Sequence, residues 1–430
     1  MWGELTTRIT LVSVLLSMSC SSIAQVGDPG GGEGIDFRAA IEQTLQKNPA
    51  LIAFGYQLDA QRGRELQASI APSPELNVMV ENFGANGSNS NVDGTEVTLS
   101  LAWVLERGKQ DSRVHTANAR MALLQIDAEI KRLDVAAKTA RLFLNCHALQ
   151  TQLEQISEAV NLIETTAGAI QKRIAAGRAP DADLARAAVE LARMQLERGD
   201  LKHELEMAIR RLSAQWGVTQ PGFQRVSGNL RMSTEPEAYA VLLERIDRNP
   251  NLRRYMTEQR LRESELLLAQ ANAKSNWKIT TGVRYFEQTN DQAFVAGITI
   301  PLSIKNRNRG RIAEAQANLA FTNSTAIATR VEIETRLFAL YQDLKHSVHR
   351  AEVYRGEIIP KVNEALADAK RAYELGRYSY VDLRIAQGDA LRARSEAISA
   401  EIDAHHNRLE IERLTGTAVA TPVDKEREKS

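Results

Sequence analysis

Between Lys109 and Thr166 there is neither a glycine nor a proline, and Ala, Leu, Glu, Arg and Gln predominate. As a single helix this stretch runs roughly 85 Å at ~1.5 Å per residue, whereas helices of globular proteins average ~10–14 residues. Its apolar residues form two seams of 3–4 spacing. Ala119, Leu123, Ile126, Ile130, Leu133, Ala137, Ala140 and Leu144 make the first. Leu149, Leu153, Ile156, Val160, Ile163, Ala167, Ile170 and Ile174 make the second. Each is a narrow stripe of the kind that packs on partner helices in a coiled coil. The five-residue step from Leu144 to Leu149 interrupts the register as an insertion does, and predicts a change of packing partners there. A chain with a rod this long spans a distance.

The rod is expected to end at Ala176-Gly177-Arg178-Ala179-Pro180, with Gly as the C-terminal cap and Pro in the first turn of a returning helix. Leu184, Ala187, Leu191, Met194, Leu201, Leu205, Ala208 and Leu212 form the seam of that helix, which stops at Trp216-Gly217. The pattern then repeats. Asn48-Pro49 recurs as Asn249-Pro250, Gly177-Arg178 as Gly376-Arg377, Asp183-Leu184 as Asp382-Leu383, and Gly217 as Gly416. Residues 35–217 and 238–416 are therefore read as two repeats of helix, strand pair and long antiparallel helical hairpin, joined by a linker over 218–237. The helices before the strands are expected over 35–69 and 238–273, and the hairpins over 109–216 and 308–415, with tips at 177–180 and 376–380. The second return helix carries Leu383, Ala386, Ala390, Ala393, Ala397, Ala400, Ala404, Ile411 and Leu414 on one seam, and that many alanines imply close helix approach.

Strands are expected over 74–83, 96–105, 276–286 and 293–304. Val97, Leu99, Leu101, Trp103 and Leu105 alternate with Thr98, Ser100 and Ala102, and Phe294, Ala296, Ile298, Ile300, Leu302 and Ile304 share one face of the last strand. Gly84 to Thr95, rich in Gly, Asn and Ser, reads as a hairpin connection. Strands of ~9–11 residues are the length that crosses a bilayer. An open sheet in lipid leaves backbone groups unpaired, so it has to close. Barrels need roughly eight strands or more, so four per chain imply an oligomer, a dimer with ~8 or a trimer with ~12. Val97, Leu99, Leu101, Trp103, Phe294, Ile298, Ile300 and Leu302 then face lipid. An ordinary half-buried sheet gives the same alternation.

The first residues read as an export signal over 1–24: Arg8, the apolar run Ile9 to Leu16, and Ser22-Ile23-Ala24 before Gln25. Processing at Cys20 as a lipoprotein is the alternative. Residues 25–34 read as a flexible leader and 417–430 as a disordered tail. Removal of the signal leaves Cys146 as the sole cysteine, without an intramolecular partner. Fifty-four basic residues balance 54 acidic ones with no basic run, so nucleic acid is not an expected partner.

The chain resembles the TolC-type outer-membrane efflux factors, and more narrowly their CzcC branch, the outer-membrane parts of cobalt–zinc–cadmium efflux systems. The resemblance covers about Ile35 to Gly416. It rests on Gly282-Val283-Arg284-Tyr285-Phe286-Glu287, Val295-Ala296-Gly297-Ile298-Thr299-Ile300-Pro301-Leu302, Arg307-Asn308-Arg309-Gly310, Leu105-Glu106-Arg107-Gly108-Lys109 and the run Ala372 to Leu383. It implies an α fold with a small β part: a homotrimer with a twelve-stranded outer-membrane β-barrel continued by a periplasmic α-barrel. It also implies docking on a periplasmic adaptor (a membrane fusion protein) and a pump of the resistance–nodulation–division type in the inner membrane of a Gram-negative bacterium. The implied cargo is a divalent heavy-metal cation. Matched by position, Gly177, Arg178, Asp183 and Leu184 form one periplasmic tip, and Gly376, Arg377, Tyr378, Asp382 and Leu383 the other, with Asp382 at the acidic constriction. Ser73 before Pro74, and Ser303-Ile304-Lys305-Asn306 before the Arg-Asn pair, depart from the branch's pattern.

No Ser/His/Asp set, P-loop or Cys-x-x-Cys is present, so the chain reads as a conduit, with neither enzymatic activity nor a cofactor. A ring of Asp382 carboxylates would concentrate cations; alternatively Asp382 caps the return helix, and Asp183 has the same two readings. Arg178 and Arg377 either latch neighbouring hairpins or are solvated. His346 and His349 can share a helix face, His405 and His406 diverge, and Cys146-His147 adjoins the register break. None of these brings together the three or four converging ligands of a zinc site, and no metal ligand is assigned. The competing functions are a duct for drugs or secreted polypeptides, and a soluble periplasmic coiled-coil adaptor.

Overall fold

The computed structural model describes residues 34–83, 94–228, 236–302 and 308–416. The expected signal, most of the leader, residues 84–93 of the strand connection, residues 229–235 of the linker, the Ser303-Ile304-Lys305-Asn306 departure with Arg307, and the tail lie outside the described residues. The fold is mostly helical with a small sheet.

The chain enters through a two-residue strand β1 (Ile35–Asp36), then α1 (Phe37–Lys47) and α2 (Pro49–Ser69). The single helix expected over 35–69 is thus cut in two. Asn48 precedes Pro49 and is held extended at φ −64°, ψ 121°, because the proline ring disfavours α geometry in the residue before it. The second repeat breaks the same way. α5 (Tyr239–Glu244) and a 3₁₀ turn over Arg245–Arg248 lead to Asn249, which is followed by α6 (Pro250–Asn272).

Strands β2 (Glu75–Glu81), β3 (Glu96–Leu105), β5 (Trp277–Phe286) and β6 (Asp291–Thr299) form one antiparallel sheet in the order β2-β3-β5-β6. β4 (Val226–Ser227) pairs in parallel with β1. The last strand ends at Thr299, earlier than the expected Ile304. Pro301 has no N–H to give a ladder, and Ile300 and Leu302 continue beyond it as exposed residues.

The long rod is α3 (Lys109–Ala175), 67 residues without interruption, about 100 Å at ~1.5 Å per residue. It returns as α4 (Asp181–Ser213), only 33 residues. The second outward rod is composite: α7 (Arg309–Val353), a π turn over Tyr354–Ile358, and α8 (Ile359–Glu374). It returns as α9 (Tyr380–Thr415), 36 residues.

One shorter helix completes the length of each return helix, α2 for α4 and α6 for α9. Asn48 Nδ2 donates to the carbonyl of Gln215, in the 3₁₀ turn Ala214–Trp216 that follows α4, at 2.6 Å, while its Oδ1 accepts from the N–H groups of Ala50 and Leu51 at the start of α2. Asn249 Nδ2 donates to Leu414 at the end of α9 at 2.7 Å, and its Oδ1 accepts from Asn251 and Leu252 at the start of α6. One side chain thus satisfies a carbonyl orphaned at one helix end and amides orphaned at another. The result is four lines of helix: α3, α4 spliced to α2, α7 running into α8, and α9 spliced to α6.

The rod changes partners along its length. Near the sheet it meets α2 and α6: Gln61 Nε2 donates to Ala117 O, Thr116 Oγ1 to Ser264 O, and Arg254 Nε to Asp127 at 2.6 Å. At the level of the splices Phe143, Leu144, Cys146 and Leu149 join Phe37 and Ala40 of α1 and Leu205, Ile209 and Leu212 of α4 in the largest core cluster. Below this only the second seam stays buried, with Ile156, Val160, Ile163 and Ile170 each under 10% exposed. Leu144 and Leu149 both sit in that cluster, so the change of partners falls where the register break stands. Sequence offers no sign of the π turn apart from Gly356 and Pro360 near it.

Candidate functional site

Two regions present unusual side chains to their surroundings: the hairpin tips and the faces of the sheet. The tips are built alike on their outward strokes. Gly177 (φ 69°) donates its N–H to Ile174 O at 2.8 Å, and Arg178 N–H reaches Arg173 O at 2.8 Å. Gly376 (φ 73°) donates to Tyr373 O at 2.9 Å, and Arg377 N–H to Ala372 O at 2.9 Å. These paired bonds close the last carbonyls around a left-handed residue, the conformation glycine adopts without strain.

The return strokes differ. α9 begins with a capping box: Ser379 Oγ accepts from Asp382 N–H, and Asp382 Oδ2 accepts from Ser379 N–H at 3.0 Å and from its hydroxyl at 2.7 Å. Those bonds, the hydroxyl's foremost, hold the Asp382 carboxyl below the usual carboxylate range. Asp382 is also exposed, so capping and facing a pore are compatible in one side chain. α4 begins at Pro180, which has no side-chain cap. Asp183 is 8% exposed and pairs with Arg186 at 3.3 Å. The two aspartates matched by the repeat thus have different surroundings.

Leu383, Tyr373, Tyr380, Ile170, Ala187 and Ala369 make a core shared by both tips, with Leu184 packed against it. Gly177, Arg178, Gly376, Arg377 and Tyr378 are exposed. Neither Arg178 nor Arg377 has an ion-pair partner among the described residues. At the tips Arg173 joins the hairpins: its Nη1 donates to Tyr373 O at 2.5 Å, and its guanidinium lies 4.4 Å from the centre of the Tyr373 ring. The sequence reading missed it. Its available signal is a basic residue in the last turn of α3, where it can meet a helix C-terminus. Between α8 and α9 a groove of about 390 Å³ is lined by Asp368, Asp382 and Asp389 together with Tyr378 and Ile385.

The sheet divides its side chains cleanly. Register places Leu76, Val78 and Val80 across from Leu101, Leu99 and Val97, and these across from Thr281, Val283 and Tyr285. Trp103 meets Ile279, which meets Ile298, and Val283 meets Phe294. No charged residue stands on this face, and Phe294 is 93% exposed. On the opposite face stand Glu75, Glu81, Glu96, Thr98, Ser100, Lys278 and Arg284. β2 and β6 each pair on one side only.

No helix among the described residues is long and apolar enough to cross a membrane. Among those residues no three His, Cys, Asp or Glu side chains converge for a metal ion. His346 and His349 are exposed on α7, His405 is buried in α9, and burial lowers the pKa of His406.

Residues 40–218 match the family model for outer membrane efflux proteins. The chain is 24% identical over 382 residues to the cobalt-zinc-cadmium resistance protein CzcC of Cupriavidus metallidurans, covering 89% of this chain and 90% of that one. It is 24% identical over 297 residues to the nickel and cobalt resistance protein CnrC of the same organism, covering 67% and 70%. Among solved structures, the outer-membrane channel OprN superposes with a TM-score of 0.75 at 16% identity, over 89% of this chain and 90% of that one. The outer membrane protein VceC of Vibrio cholerae superposes with a TM-score of 0.71 at 18% identity, over 89% and 97%.

Proposed function

We propose that this chain, a TolC-type outer-membrane efflux factor related to the CzcC branch, is the outer-membrane duct of a tripartite system that exports divalent heavy-metal cations. The observation that carries the reading is the two-faced sheet. A sheet apolar and uncharged on one face, charged on the other and unpaired at both edges suits a wall between lipid and water. Four strands cannot enclose a lumen alone; three copies give about twelve, a size found among membrane barrels. Val97, Leu99, Leu101, Trp103, Phe294 and Ile298 then meet lipid, as do Ile300 and Leu302 just past β6. The rods carry the lumen about 100 Å onward at ~1.5 Å per residue, into the periplasm. A soluble adaptor has no use for exposed Phe294 and Leu302.

The cargo assignment rests on the names of CzcC and CnrC, both metal-resistance proteins. Energy comes from an inner-membrane pump, and the chain is a passive conduit. The tips at Gly177 and Gly376 form the periplasmic gate and meet the adaptor. Asp382 supplies an acidic ring there, while Asp183 and Leu184 hold the tip together from inside. The aspartate-lined groove between α8 and α9 fits a basic adaptor hairpin.

Growth of a deletion strain, tested metal by metal with adaptor and pump genes intact, checks the cargo: sensitivity to cobalt, zinc or cadmium is expected, and unchanged tolerance to all three sinks it. Asp382→Ala is expected to make the closed channel leakier and less cation-selective in planar bilayers, and unaltered conductance and selectivity would remove Asp382 from the gate.

A further inference from the structure

The charged face of the sheet holds one arrangement that the tips do not explain. Arg284, on β5, reaches across three strands. Its Nη1 donates to Glu96 Oε2 of β3 at 2.8 Å, its Nη2 to Glu81 Oε2 of β2 at 2.7 Å, and its Nε to Thr98 Oγ1 at 2.9 Å. Register puts Glu81 beside Glu96, Glu96 beside Phe286, and Phe286 beside Asp291 of β6. Residues paired directly across strands share a face, so Asp291 belongs to the same row. At this end of the sheet, three carboxylates face one guanidinium. At the other end the account balances, with Lys278 Nζ 2.6 Å from Glu75. The surplus is therefore local to the end next to the strand turns, away from the helices. Both glutamates share one arginine, so neither can be neutralised by it fully; Glu96 also accepts from the neutral Asn82 amide at 3.3 Å, and no other cation of the described sheet pairs with either.

We propose that Arg284 is a specificity-determining residue of the duct's distal mouth, where it partly neutralises an acidic row and leaves a fixed negative charge that favours cations. The proposal rests on the duct reading, in which this face lines the lumen. On closure of the oligomer the rows of all protomers form a ring at the exit, remote from the tips. Charge fixed on the wall of a narrow aqueous path raises the local concentration of ions of opposite sign and lowers that of like sign. A cation delivered by the pump then meets a favourable potential at both ends of the tube, and an anion meets an unfavourable one. Arg284 sets the depth of the well: without it the exit would hold multivalent cations more tightly and release them more slowly.

The test is side-specific block of the full-length protein in planar bilayers, with lanthanum ions added only to the compartment facing the strand turns. The half-blocking concentration is read for the natural protein and three variants. Glu81→Gln/Glu96→Gln removes two of the three carboxylates and leaves Arg284 without its glutamate partners, and is expected to raise that concentration by about tenfold or more. Arg284→Gln frees both carboxylates and is expected to lower it by roughly threefold. Glu81→Gln keeps the Arg284–Glu96 pair and gives an intermediate rise, so it reads the proposal even where Arg284→Gln fails to assemble. The same half-blocking concentration in every conducting variant overturns the proposal while leaving the duct intact. Absence of conduction from the natural protein and from its gate variant Asp382→Ala alike overturns the duct reading itself.

Discussion

The two repeats share one plan, yet the first is a continuous strut and the second is jointed. α3 runs 67 residues with no break. Its counterpart is divided by a π turn at Tyr354–Ile358, with Pro360 just beyond, in the first turn of α8. None of the five π-turn residues is buried. At the tips the order reverses: the first return helix starts uncapped at Pro180, the second with the Ser379–Asp382 box. A π turn is a local excess of backbone in the helical ladder, often found at functional positions, whereas an unbroken helix transmits displacement along its axis. The pairing teaches that repetition fixed the splices and the tip glycines, and left the caps of the return helices and the stiffness of the two outward rods free to differ.

The sharpest way to break the comparison is at the splices, the feature the repeats share most closely. Asn249 is fully buried and Asn48 is 6% exposed. Asn249→Ala removes a cap and leaves the Leu414 carbonyl without its partner, and is expected to cost about 2–4 kcal/mol. Asn48→Ala should cost about as much or slightly less. Thermal unfolding of the purified protein in detergent measures both, and a midpoint unmoved by either would show that the splices do not hold the lines together.

The helix-ending glycines should separate the repeats next. A Cβ on Gly416 would stand 2.6 Å from Arg248 O, while one on Gly217 would stand 3.4 Å from the Pro49 ring. Both residues are left-handed, at φ 64° and 80°. Gly217→Ala is expected to cost about 1 kcal/mol of backbone strain. Gly416→Ala adds a backbone clash and should cost clearly more. Equal losses in chemical denaturation would contradict that ranking.

A smaller effect belongs to the tips. Ser379→Ala is expected to lose about 1 kcal/mol of capping, visible as faster hydrogen exchange in the first turn of α9 alone. Since the folded carboxyl of Asp382 is depressed below 3.8, its capping contribution is present above the unfolded pKa. It is lost as pH falls through the lower folded value. Cation preference of the channel should therefore persist to more acidic pH in the natural protein than in Ser379→Ala. Smallest of all, burial pushes the Cys146 thiol up to about 12, so maleimide should leave it unlabelled in the folded protein at neutral pH; rapid labelling would place that level of the rod in contact with water.

The long helices, their seams and the tip glycines were legible because each depends on residues near in sequence. Ile156, Val160, Ile163 and Ile170 announce their burial by spacing alone. Ser379 three places before Asp382 is likewise a local sign. The role of Asn48 and Asn249 was not legible, although their recurrence was. The carbonyls they hold, on Gln215 and Leu414, are 167 and 165 residues away. Pairing of β3 with β5 joins the two repeats across more than 170 residues, and Arg284 finds its glutamates only once that pairing is made. Asp183 looked equivalent to Asp382 by position. The neighbours that decide burial belong to the other hairpin, where Tyr373, Tyr380 and Leu383 pack.

The asparagine splices also bear on the order in which the molecule assembles. Each antiparallel hairpin needs only contacts between neighbours across its own tip, which form early because little chain is immobilised to make them. A splice needs the end of a hairpin to find a segment that precedes the whole hairpin in sequence. The expected sequence of events is hairpins first and splices late, with an intermediate that already has its rods but still leaves Gln215 and Leu414 without their asparagine partners. Refolding followed by pulsed hydrogen exchange should find the amides of Ala50, Leu51, Asn251 and Leu252 among the last to gain protection.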